Sequence, residues 1–129
     1  MAQVKIYGLN AHLAPIKAQV SDCIHSCVME AFKYPADKRF HRFFGLERAD
    51  FYFPEGRTER YTILEIILYE GRSVAAKKVL YGLLFDRFER YFSVSPNDLE
   101  ITLLETPPHD WGIRGKPGDE LFLDYSITV

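Results

Sequence analysis

Long apolar runs are missing from this sequence, and so is a surplus of either charge. The longest apolar stretches, such as "TILEIILY" at residues 62–69, contain a glutamate and fall far short of the roughly 20 residues needed to cross a bilayer. Sixteen Lys and Arg stand against eighteen Asp and Glu, a formal charge of −2. That balance argues against bulk electrostatic binding to nucleic acid or to an anionic membrane. Cysteine is scarce as well. Cys23 and Cys27 lie four apart in a helical pattern, on the side of Val20, Ile24 and Val28, where a lone pair lacks the second ligand pair of a zinc site. The four histidines, His12, His25, His41 and His109, show no metal spacing, and neither a glycine-rich phosphate loop nor a nucleophile elbow is present. No metal and no cofactor are expected. The opening residues "MAQVKIYG" hold no apolar segment of the kind that directs secretion, so the expected setting is the reducing cytoplasm.

What the 129 residues do contain, 47% of them hydrophobic and 26% charged, suits one globular domain spanning 1–129 with a real core. The segment "QVKIYGL" reads as a strand with Val4 and Ile6 on one face. From Pro15, which suits a first helical turn, apolar residues recur at helical spacing through Ala31. "RFHRFFGLE" reads as strand. A second cycle comes next: "YTILEIILYE" has the apolar content of a strand covered on both faces, Ser73 can cap a helix running through Leu80, Leu84 and Phe88, and "LEITLLE" is the next strand.

The helix-to-strand junctions "FKYPADKRFHRFFGLE" and "FSVSPNDLEITLLE" share an order: phenylalanine, spacer, proline, any residue, aspartate, then a strand ending in glutamate. Phe32 and Phe92 are sixty residues apart, and Asp37 and Asp98 sixty-one. Such an internal repeat fixes the architecture. Pseudo-repeats 2–47 and 61–105, joined by a connecting segment 48–60 with a short strand or hairpin around "DFYF", predict two tandem βαβ units. With right-handed crossovers they form an α+β, two-layer fold, one four-stranded sheet with two helices on one face. A loop and tail, 106–129, complete the chain. The far face of the sheet lacks a helical cover, and with ten Phe and eight Tyr in the chain its exposure would leave a large apolar patch. Self-association is expected.

Three arginines are candidate anion binders. Arg72 follows Gly71 and precedes the Ser73 cap, which places a bidentate donor beside a helix N-terminus; the alternative is an ion pair with Glu70 or Asp119. Arg42 alternates with Phe40 and Phe44 on one strand face, where it serves a pocket, an ion pair or a subunit contact. Arg114 lies in "TPPHDWGIRGKPGDE", residues 106–120, which also carries the chain's one tryptophan, Trp111. Its three prolines and three glycines disfavour regular helix or strand and let the backbone approach a ligand or a neighbour. Either a pocket or an interface, where Trp and Arg are both enriched, accounts for the pair. Asp37 and Asp98 are expected in turn or capping roles.

Taken in order, "AQVKIYGL", "FKYPADKRF", "LYEGRS" and "DWGIRGKPGDE" resemble the tautomerase superfamily over essentially the whole chain, and most closely its double-unit members, such as the malonate semialdehyde decarboxylases. The resemblance implies a homotrimer with the sheets facing inward. It also implies an active site built on an N-terminal proline, exposed by removal of the initiator methionine, beside arginines that bind a substrate carboxylate. Here Ala2 stands at the proline's place, and Glu70 at the place of a second arginine in some relatives. With Met1 removed, an alanine amine of pKa about 7.7–8.0 can still move a proton. The function so implied is a cofactor-independent enol–keto isomerase of a small carboxylate-bearing keto acid, with Ala2 catalytic and Arg72, Arg42, Arg114 and Trp111 binding substrate. A non-catalytic trimer holding a small anion or a protein partner is the alternative, and a ferredoxin-like fold of the same element order is a third.

Overall fold

The computed structural model describes residues 2–129. Strand β1, Ala2–Leu9, opens the chain and is followed by a short helix α1, Asn10–Leu13, and a 3-10 turn at Ala14–Ile16. Helix α2 spans Lys17–Phe32, strand β2 His41–Leu46, strand β3 Thr62–Tyr69, helix α3 Val74–Phe92 and strand β4 Leu99–Thr106. Two-residue strands β5, Gly112–Ile113, and β6, Lys116–Pro117, form a small ribbon in the C-terminal loop. The sheet order is β2-β1-β3-β4, with β1/β2 and β3/β4 parallel and β1/β3 antiparallel at the centre. These are two βαβ units in tandem, with the two long helices α2 and α3 on one face.

Alternation sets that arrangement. Val4 and Ile6 of β1 and Leu64, Ile66 and Leu68 of β3 are buried against α2 and α3. Cys23 and Cys27 are free and buried in this layer. The duplication extends to the helix ends. α2 stops after Phe32 with Lys33 left-handed at φ 53°, and α3 stops after Phe92 with Ser93 left-handed at φ 55°. Ser73 caps α3 by accepting the Ala76 N–H at 3.1 Å.

Two expectations are corrected. No strand or hairpin forms around "DFYF": a 3-10 turn at Arg48–Asp50 is followed by irregular chain. The Phe51 and Phe53 rings instead cluster on Tyr61, at 5.5 and 5.2 Å between centroids, which buries their apolar faces without a sheet neighbour. β3 is covered on one face only, since Ile63 and Ile67 are half-buried on the face away from the helices. There they join Tyr7 stacked on Phe44 at 4.8 Å and the exposed Leu104. The two repeat aspartates differ too. Asp37 lies exposed in a turn, whereas buried Asp98 accepts from the Thr58 N–H at 2.8 Å and the Thr58 hydroxyl at 2.5 Å, anchoring the connecting segment.

The antiparallel centre brings the start of the first unit to the first turn of the second. Ala2 lies opposite Leu68, so the first residue of β1 meets the end of β3, just before Gly71 and Arg72.

Candidate functional site

Gly71 adopts φ 139°, and a Cβ there would lie 2.8 Å from the carbonyl oxygen of Ile127. Glycine is required at this bend for both reasons. The bend turns Arg72 into the protein, where only 5% of it is exposed. Its guanidinium lies over the Phe32 ring at 5.3 Å and donates one hydrogen bond, from Nη1 to the Tyr69 carbonyl at 3.2 Å. Nε and Nη2 are buried without a hydrogen-bond partner. Neither Glu70 nor Asp119 is paired with Arg72 among the described residues; Glu105 influences it from a distance while bound to Lys77. Burial pushes the Arg72 pKa down, yet guanidinium stays charged in proteins. A buried, half-satisfied cation is costly and calls for an anion.

Beside it stands Tyr34, also 5% exposed, its hydroxyl lacking a hydrogen-bond partner of ordinary geometry. Burial pushes this phenol up, as does the neighbouring Tyr125, while the Ala2 backbone N–H and Arg72 pull the other way. The Ala2 nitrogen, the Tyr34 hydroxyl and the Arg72 guanidinium therefore share one end of the sheet. The Tyr125 ring meets Tyr34 edge-on at 5.4 Å. The tail is held by Ser73, whose hydroxyl donates to the Val129 carbonyl at 2.9 Å. Removal of Met1, on which a free Ala2 amine depends, concerns a residue outside those described.

The other candidates lie elsewhere. Arg42 is on the opposite face of the sheet, donating from Nη2 to the Gln3 side chain at 3.3 Å and flanked by exposed Phe40 and Phe44. Arg114 is exposed in the loop, left-handed at φ 51°; burial pushes the Tyr69 phenol up, and Arg114 lies close enough to offset part of that rise. Trp111 is half-buried, edge-on to Tyr69 at 5.3 Å, its indole N–H donating to the Thr106 hydroxyl. Gly118 lets the loop close, since a Cβ there would meet the Pro108 carbonyl oxygen at 2.3 Å and the Trp111 Cβ at 2.9 Å. Between this loop and Gln3 lies a depression of about 270 Å³ lined by Ile67, Thr106 and Asp110 as well as Trp111. One chain thus brings Ala2 and Arg72 together but leaves Arg42, Arg114 and Trp111 apart from them.

Residues 38–114, well over half of the chain, match the model of the Tautomerase_2 family, described as tautomerase enzyme. The chain belongs to the tautomerase family. Solved structures similar to this tautomerase-family chain include a malonate semialdehyde decarboxylase, at 23% identity and TM-score 0.80, covering 92% of this chain and 99% of that one. A native fused 4-OT matches at 16% identity and TM-score 0.81 over 92% and 98% of the two chains. A member of the cis-3-chloroacrylic acid dehalogenase family matches at 17% identity and TM-score 0.76 over 92% and 87%. At these identities the likeness is one of fold.

Within this tautomerase fold, Tyr34 and Tyr125 escape a reading of the sequence by charge and spacing. Tyr34 sits in "FKYPADKRF" between a lysine and a proline, and Tyr125 in a tail without periodicity. The usable signal is compositional: an aromatic hydroxyl in the repeat junction where the second copy has Val94. Together these groups offer a desolvated cation, a phenol donor and a backbone nitrogen to one small anion. No three His, Cys, Asp or Glu side chains gather as a metal would need among the described residues. No helix among them is long and apolar enough to cross a membrane.

Proposed function

We propose that the chain is a cofactor-independent, tautomerase-like isomerase that interconverts enol and keto forms of a small keto acid and works as a homotrimer. The observation that carries this reading is Arg72, buried with two unpartnered guanidinium nitrogens near the Tyr34 hydroxyl, which the Ala2 nitrogen also reaches. Arg72 holds the substrate carboxylate through paired N–H donors. The Ala2 amine, freed by loss of Met1, takes and returns the proton; its reference pKa of about 7.7–8.0 falls beside a buried arginine, which favours the neutral base near neutral pH. Arg42, Arg114 and Trp111 face outward from the sheet and its loop, and we assign them to subunit contacts or a neighbouring copy's site.

The alternative is a non-catalytic trimer that binds a small anion or a protein partner. Ala2 in place of the proline that the resemblance implies favours it. Intact mass followed by the rate of phenylpyruvate enol–keto conversion separates the two. With Ala2 as terminus, the isomerase predicts a rate governed by one ionisation at or below about 8. A retained Met1 with a rate equal to buffer overturns it. Arg72→Ala is expected to abolish activity while the oligomer persists; equal activity in that variant would sink the assigned role.

A further inference from the structure

A keto acid presents two groups to its site, a carboxylate and the oxygen on which charge appears during enolisation. Arg72 answers the first. The second needs its own donor, and one is already desolvated beside it. The Tyr34 hydroxyl is buried with no hydrogen-bond partner of ordinary geometry. A buried polar group left unpaired is costly and calls for an explanation. The ring contacts, edge-on to Tyr125 at 5.4 Å and to His25 at 6.4 Å, would serve a phenylalanine equally; the hydroxyl itself is reached by the Ala2 N–H and by the Tyr125 hydroxyl, neither in ordinary hydrogen-bond geometry. The hydroxyl lies where the influences of the Ala2 N–H and of Arg72 meet, which is where the oxygen of a substrate held by both would come.

We propose that Tyr34 donates the hydrogen bond to the keto, or enolate, oxygen of the substrate, with Tyr125 positioning its ring. The inference rests on the isomerase reading of the site. From keto to enol, the Ala2 amine removes a proton from the carbon beside the carbonyl. The C–H electron pair becomes the second bond of C=C, and the C=O pair moves onto oxygen. Tyr34 passes its proton to that oxygen and takes the ammonium proton in turn, leaving the amine and the phenol as they began. Burial keeps the phenol protonated between turnovers, so it is always available as donor. Arg72, already spending one N–H on the Tyr69 carbonyl, remains on the carboxylate.

Two probes separate the roles: phenylpyruvate, which carries both carboxylate and keto oxygen, and 3-phenylpropanoate, the same skeleton without the keto oxygen. Tyr34→Phe is expected to lower kcat for phenylpyruvate on the order of 10²-fold, the usual effect of removing a donor to developing charge, with KM changed little. Its inhibition by 3-phenylpropanoate should equal that of the unmodified protein. Arg72→Ala should lose both turnover and inhibition. Tyr125→Phe keeps the ring contact and should retain most of kcat. Full kcat in Tyr34→Phe overturns the inference while leaving Arg72 and Ala2 in place. Equal loss of 3-phenylpropanoate inhibition in Tyr34→Phe assigns the phenol to the carboxylate and overturns it too. Absence of turnover in the unmodified protein defeats the isomerase reading, and the Tyr34 role with it.

Discussion

The His41 ring lies 2.8 Å from the Ser21 hydroxyl through Nδ1, and burial, then His25 and Arg39, push its pKa down to about 4. The unfolded chain titrates this ring near about 6.5. Between those values the unfolded state binds more protons, so stability is full above about 6.5 and falls as pH drops toward 4. Urea midpoints for the unmodified protein should decline across that window, and those of His41→Gln should decline less. The same slope in both would mean that another group carries the acid sensitivity. Arg72 and Tyr34 obey the same principle, that burial decides what a polar group needs. His41 finds a partner in Ser21, whereas the two site residues keep unpartnered atoms.

At the level of elements, the two helices end alike. Lys33 and Ser93 each take the left-handed conformation directly after a phenylalanine, a conformation that glycine adopts without the Cβ penalty. Lys33→Gly and Ser93→Gly should each stabilise the fold by on the order of 1 kcal/mol, and the gains should add because the helix ends are separate sites. Chemical denaturation of the two variants and their combination tests this. These junctions are also where the sequence is most legible, because periodicity, a proline stop and a shared aspartate recur sixty residues apart. The strands of both units follow from alternation for the same reason. The "DFYF" segment misleads because alternating aromatics satisfy a local cluster as well as a sheet. Arg42 takes the strand face that alternation assigns it, but alternation says nothing of which face meets Ala2 and Arg72. Tyr34 and Tyr125 are separated by ninety-one residues and meet only through the tail's return, which no local pattern encodes.

For the whole molecule, the helix-free face of the sheet is the question that the chain poses physically. Tyr7, Phe44, Ile63, Ile67 and Leu104 lie there, with Leu104 43% and Phe44 37% exposed. An apolar face of this kind on a sheet marks an association surface. Leu104→Asp, at a position that the folded subunit leaves partly in water, should leave the subunit folded by circular dichroism and reduce the mass of the proposed trimer in light scattering. An unchanged mass would place the contact elsewhere.

Ala2 and Val129 approach the same bend, Ala2 across from Leu68 and Val129 through its carbonyl on Ser73. Any polypeptide fused to either end would therefore emerge beside the Gly71–Arg72 bend. An affinity handle on the amino side would block the nitrogen to which the proposed function assigns proton transfer, and one on the carboxyl side would pull at the segment carrying Tyr125. Preparations meant for kinetics should be made without a handle, or with one cleaved back to Ala2. Inactivity of a fusion would therefore not by itself count against the proposed isomerase.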